Sequence, residues 1–159
     1  MKSELQFSEV VQLIQQARIN TYQAVNAELI NCYWQVGEYI SIRLALSMWG
    51  DKTIEELAHH IQSKHPDIKN FDRRGLYRMK QFYETYSNSQ IVSALRPQLQ
   101  TIDIQKNKSP KSLQFKITNI KETLLAKITW TNHRIIFSRC KSEVEREFYI
   151  RTSIQENFN

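Results

Sequence analysis

The stretch SEVVQLIQQARINTYQAVNAELINCYWQVGEYISIRLALSMW, Ser8 to Trp49, decides the fold class. Val10, Ile14, Ala17, Ala24, Val25, Leu29, Cys32, Val36, Ile40 and Leu44 recur in it at three- and four-residue steps. That is the period of a helix face. No proline interrupts the pattern, and Gly37 is its only glycine. The spacing predicts one long helix, with Ser8 as its N-cap and Gly50 as its stop. A break, if there is one, falls near Asn20 or Asn26. A helix of this length needs partners along it, either later helices or a second copy of itself.

The rest of the chain agrees with an all-α reading. Only 3 glycines and 3 prolines occur in 159 residues, too few for a turn-rich β fold. The hydrophobic content of 41% suits a folded domain with a real core. After Gly50, a helix is predicted over about Thr53 to Lys64. Thr53 and Glu56 have capping-box spacing, and Ile54, Leu57, Ala58 and Ile61 form the inward stripe. His65-Pro66 ends it, because a residue before proline avoids helical angles.

FDRRGLYRMKQFYETY, Phe71 to Tyr86, follows. Asp72 stands where an N-cap belongs. At about 100° per residue, Leu76, Met79, Phe82, Tyr83 and Tyr86 share one arc. Arg74, Arg78, Gln81 and Thr85 fall on the opposite arc, flanked by Tyr77. The two helices form a helix-turn-helix-like pair, although the connection Pro66 to Phe71 is longer than the ~3–4-residue turn of that motif. Arginine forks bond phosphate or guanine edges, and glutamine can pair with adenine. Arg73, Arg74, Tyr77, Arg78, Lys80 and Gln81 are therefore candidate DNA contacts, with Lys64 and Lys69 on the backbone. The plainer reading is a surface helix with solvated charges.

Beyond Tyr86 the pattern changes. Ser87-Asn88-Ser89 and Pro97 break it, and residues 101–119 read as a basic, flexible loop or linker. Helical patterning returns at Ile120. Leu124, Leu125 and Ile128 lead into Trp130-Thr131-Asn132-His133, and Ile135, Ile136 and Phe137 continue to about Cys140. Ser142 and Glu145 suggest another capping box, opening a helix to about Asn157 with Val144, Phe148 and Ile154 inward. This divides the chain into a helical domain over 1–100, the linker, and a C-terminal helical pair over 120–159 that packs on the same domain.

The composition and motifs exclude several chemistries. The net charge of +6 favours a polyanionic partner. No stretch approaches the ~20 apolar residues of a membrane span. The N-terminus carries acids where a signal peptide needs an apolar core, so a cytoplasmic protein is expected. Cys32 and Cys140 form no CxxC pair and read as buried, reduced thiols. His59, His60, His65 and His133 include no HExxH or His-x3-His pair, so no metal is expected. Three glycines cannot build a phosphate-cradling loop, and no GxSxG occurs, so no cofactor is expected either. A restriction-type nuclease needs an acid with a lysine two residues on to hold Mg²⁺. Downstream of Pro66-Asp67 no acid has one. The chain is not expected to be an enzyme.

Several blocks resemble the N-terminal domain of YhcG-type bacterial proteins. They are AVNAELINCYWQVGEYI (24–40), WGDKTIEELA (49–58), FDRRGLYRMKQFYETY (71–86), IVSALRPQL (91–99) and LLAKITWTNHRIIFSRCKSEVEREFYIRTSIQE (124–156). They cover most of the chain in the right order. The resemblance implies an all-helical, winged-helix-like domain used for DNA binding or partner contact. In the usual architecture it precedes a PD-(D/E)xK nuclease-like domain. The family's arginine-rich segment maps onto Arg73, Arg74, Leu76, Tyr77, Arg78 and Met79, and its WTNH segment onto Trp130 to His133. This sequence ends at Asn159, and no catalytic role carries over to it.

Two functions fit these observations. One is a non-catalytic DNA-binding module reading through the basic helix 72–86. The other is an interaction module that forms a homodimer or docks a nuclease-domain partner.

Overall fold

The structure is a computed structural model and describes residues 2–89, 92 and 119–156. Among these residues it is all-α and has no strand. Five α-helices run in order: α1 (Lys2–Ala45), α2 (Asp51–Lys64), α3 (Arg73–Tyr86), α4 (Trp130–Arg139) and α5 (Glu143–Gln155). A single 3-10 turn, Leu124–Lys127, precedes α4. The linker expected over 101–119 and the IVSALRPQL block lie almost wholly outside the described residues.

Helix α1 is continuous through Asn20 and Asn26, so it is the one long helix predicted, with no break at either asparagine. Asn26 does not turn on its own backbone, which would favour a break. Its amide donates instead to the carbonyls of Ala126 (3.1 Å) and Ile128 (3.0 Å). Ser8 is not the N-cap, because the helix begins at Lys2 with Glu4 in the first turn. The helix also ends earlier than predicted, at Ala45. Ser47 there has a φ of 57°, in the left-handed region that terminates helices. Gly50, read as a stop, is instead the N-cap of α2, so Thr53 and Glu56 lie inside that helix and form no capping box.

The core gathers where the second half of α1 crosses α3. Ile30, Trp34 and Ile40 of α1 meet Leu76, Met79 and Phe82 of α3. Gly37 permits the crossing, because a Cβ there would lie 2.0 Å from the Met79 carbonyl oxygen. Asp72 caps α3 as its sequence position implied, accepting from the Gly75 amide at 2.8 Å. Leu76, Met79, Phe82 and Tyr86 are buried as predicted, and Tyr83 is half-buried. Ile54 and Ala58 are the buried positions of α2, while Leu57 and Ile61 are half-buried.

The C-terminal segment closes this core. The side chain of Asn31 in α1 accepts from the Ile120 amide at 2.9 Å. Thr129 caps α4, and Ser142 caps α5 by accepting from the Glu145 amide. The face of α5 differs from the prediction. Ile150 is its buried residue, with Ile154 half-buried, while Val144 and Phe148 are 80% and 61% exposed. The inward face follows Arg146, Ile150 and Ile154, and the apolar residues at 144 and 148 sit off that line. The cysteines also differ from expectation. Both are free, but only Cys140 is buried, and Cys32 is exposed. Although Cys32 reaches solvent, partial desolvation by its neighbours, then the nearby Glu28 carboxylate, raises its thiol above the ordinary range.

Candidate nucleic-acid interface

Helix α3 presents its basic residues on the side away from Leu76, Met79 and Phe82. The eight predicted contacts do not behave alike. Arg73 pairs with Glu55 of α2 at 3.5 Å and lies over the Tyr77 ring. Tyr77 donates its hydroxyl to Asp51, the first residue of α2. That bond, followed by desolvation, raises the phenol above its ordinary range. Lys80 pairs with Glu84 one turn on, at 3.1 Å. These three side chains serve mainly to tie α3 to α2 and to itself. Such exposed pairs contribute about 0–1 kcal/mol each.

Arg74, Arg78 and Gln81 remain on the outer face. Arg74 and Gln81 are exposed, and Arg78 is half-buried. Lys64 ends α2 and Lys69 lies in the connection, both exposed, and neither is among the charges acting on Arg78. A residue that sequence reasoning did not single out joins the arginines, namely Arg134 of α4. The Arg78 guanidinium is held below its ordinary range by partial burial first, then by Arg134 and then by Arg74, with Asp72 opposing. Arg134 of α4 and Arg74 of α3 are thus both near enough to Arg78 for their charges to act on it. Among the described residues none of the three forms an ion pair with a carboxylate. Arg134 follows the WTNH segment directly, and only the docking of α4 on α3 brings it to Arg78. No local pattern in the sequence could have found it.

The WTNH segment itself supports this face from beneath. Trp130 packs on Tyr33 (ring centroids 4.7 Å apart) and on Phe82 (5.4 Å). His133 is fully buried against Phe82 at 4.8 Å. Its Nε2 lies 2.7 Å from the Leu125 carbonyl, so that nitrogen carries the proton and donates. Nδ1 is buried with no partner. Burial outweighs this hydrogen bond and lowers the imidazole to about 4. The stability consequence has a definite sign. A base whose folded value is depressed binds fewer protons folded than unfolded. Full stability is therefore present above pH ~6.5 and is lost progressively as pH falls toward 4, a loss on the order of 3 kcal/mol. Urea unfolding at pH 7.5 and pH 4.5 is expected to show this loss, and a His133→Gln variant is expected to show much less of it.

Among the described residues no group of histidine, cysteine and carboxylate side chains could hold a metal ion, and no helix is long and apolar enough to cross a membrane. Residues 9–115 match a family model, that of the DUF1016 N-terminal domain. The chain belongs to that family. This is the YhcG N-terminal domain family that the sequence blocks resemble. Arg74 and Arg78 lie within the matched span, whereas Arg134 and the WTNH segment lie beyond it. No nuclease domain is matched in this chain. No curated protein and no solved structure matches it.

Proposed function

We propose that this DUF1016 N-terminal domain binds DNA through the outer face of α3 and the adjoining turn of α4. Arg74, Arg78 and Arg134 contact phosphate, and Gln81 reaches the groove. The observation that carries this reading is the cluster of three arginines drawn from two helices with no carboxylate bound to it among the described residues. Gathering like charges costs free energy unless an anion neutralises them, and a phosphate backbone is such an anion. Arg73, Tyr77 and Lys80 support the helix, and Lys64 and Lys69 add nonspecific charge. No catalytic role is proposed for this chain.

The test is duplex DNA binding by fluorescence anisotropy. The Arg74→Ala/Arg78→Ala variant is expected to bind at least tenfold more weakly, about 1.4 kcal/mol. Its circular dichroism is expected to match that of the parent, because both side chains lie outside the core. Equal binding by parent and variant would remove the site.

A second reading, assembly, rests on a separate observation. The first half of α1 is exposed along its length, including Leu5, Phe7, Leu13 and Tyr22. An isolated helix with such residues in water is marginal and calls for a partner.

A further inference from the structure

Nothing among the described residues covers the apolar side of the α1 arm. Phe7, Val11, Ile14 and Val25 are 66%, 49%, 55% and 62% exposed. At ~3.6 residues per turn they lie along one line of the helix. The same line runs on into the body as Leu29, Cys32, Val36 and Tyr39. There Cys32, Val36 and Tyr39 form one wall of a groove of about 500 Å³. Trp49, Leu57 and Ile61 form the facing wall. Ile30, Trp34 and Gly37, which meet α3, lie on a different side of the helix.

We propose that this line and groove are filled by the same surface of a second copy, with the two α1 helices laid antiparallel about a two-fold axis near Gln23. The inference rests on the assembly reading above and goes further by naming the occupant and its register. The line is self-complementary when reversed. Phe7 meets Tyr39, Val11 meets Val36 and Ile14 meets Cys32 of the other copy. Thr21 meets Val25. Arg18, the one charge on the line, meets Leu29 with Glu28 beside it, and Glu28 also binds Lys121 at 2.5 Å. The tip of each arm, Phe7 and Val11, then enters the groove of the other copy. A parallel pair would set Arg18 against Arg18 and leave both grooves empty.

Charge and size agree with this arrangement. Lys2 and Arg18 balance Glu4 and Glu9 on the arm, although the whole chain carries +6. Pairing the arms therefore does not gather the like charges of the body. A stable interface uses about 20–30 residues a side. The line from Phe7 to Tyr39 with its flanks, about 48 Å of helix at ~1.5 Å per residue, supplies that. A closed isologous dimer uses the same patch on both copies, which a self-complementary line provides.

The test uses the full 159-residue chain in analytical ultracentrifugation over a hundredfold range of concentration. A dimer is expected, and Ile14→Asp is expected to weaken it at least a hundredfold while leaving the folded body intact by near-ultraviolet circular dichroism. Orientation is read separately. In an Ile14→Cys variant on a Cys140→Ala background, oxidation is expected to join position 14 of one copy to Cys32 of the other, as mapped by peptide mass. A monomer at every concentration would mean that another segment or another protein covers the stripe, and it would overturn the proposal. So would an unaffected dimer in Ile14→Asp, or cross-links that join 14 to 14 or 32 to 32. None of these outcomes bears on the arginine site, which DNA binding tests by itself.

Discussion

A Gly37→Ala substitution is expected to be among the most damaging single changes in this domain, costing about 3 kcal/mol, the upper end of the usual overpacking penalty. Propensity alone predicts the opposite, because alanine is favoured over glycine by about 1 kcal/mol in a helix interior. The contact decides the sign. The added Cβ would lie 2.0 Å from the Met79 carbonyl oxygen and 2.6 Å from its carbon. Both are backbone atoms of α3, which no side-chain rotation can clear. The α1–α3 crossing must open, and the loss spreads to Trp34, Met79 and Phe82. At Gly50, by contrast, a Cβ meets nothing within 4 Å. Gly50→Ser is therefore a matched control and is expected to hold or slightly raise stability, since serine is a better N-cap. Urea unfolding of the two variants checks both expectations. A Gly37→Ala protein as stable as the parent would contradict the described crossing.

The second large effect is expected at Phe82. Its ring meets Trp34 at 5.5 Å, Tyr86 at 5.7 Å, Trp130 at 5.4 Å and His133 at 4.8 Å. It thus joins α1, α3 and α4 in one aromatic cluster. Phe82→Ala removes that centre and leaves a void that large rings cannot refill, at a cost of about 3–5 kcal/mol. The loss also loosens α4, which carries Arg134. DNA binding is therefore expected to fall in Phe82→Ala although the residue is buried away from solvent. Phe82→Leu keeps most of the volume and is expected to cost less. Chemical denaturation of the three proteins ranks them, and equal stability of the alanine variant and the parent would contradict the cluster.

Much of this architecture was legible in the sequence, for reasons that differ from element to element. The period of α3 was plain because one face is buried over several turns, and Asp72 was readable as a cap because a short side chain reaches the free amides within its own turn. In α1 the same period marked the helix but not its buried face, since the stripe is exposed from Val10 to Cys32 and of its residues only Ile40 is buried. Helix ends were less legible. Gly50 serves equally well as a stop for one helix and a cap for the next, and only the left-handed Ser47 settles where α1 stops. The faces of α5 misled because Val144 and Phe148 are apolar yet exposed.

The candidate site divided in the same way. The sequence placed Arg74 and Arg78 on one outer arc, since that follows from helical spacing alone. It could not foresee that Asp51, Glu55 and Glu84 engage Tyr77, Arg73 and Lys80. Two of those acids lie on α2, and their approach depends on how α2 docks against α3. Arg134 was invisible for the same reason, because tertiary packing alone brings it to Arg78. The buried role of His133 was half-legible. Helical patterning placed it at the start of α4, but its partner, the Leu125 carbonyl, required the turn that precedes that helix.

A phosphate-binding face made by Arg74, Arg78 and Arg134 has a signature in salt. The most direct measurement is the salt dependence of duplex DNA affinity, read by anisotropy from 50 to 300 mM salt at a fixed pH, for the parent and Arg134→Ala. Each neutralised phosphate contributes a slope of about −0.9 in a plot of log K against log salt. With three phosphates neutralised, the parent slope is expected to be about −3 or steeper per chain, and the slope of Arg134→Ala about 1 shallower. No binding at 50 mM salt, or the same slope in both proteins, would contradict that face.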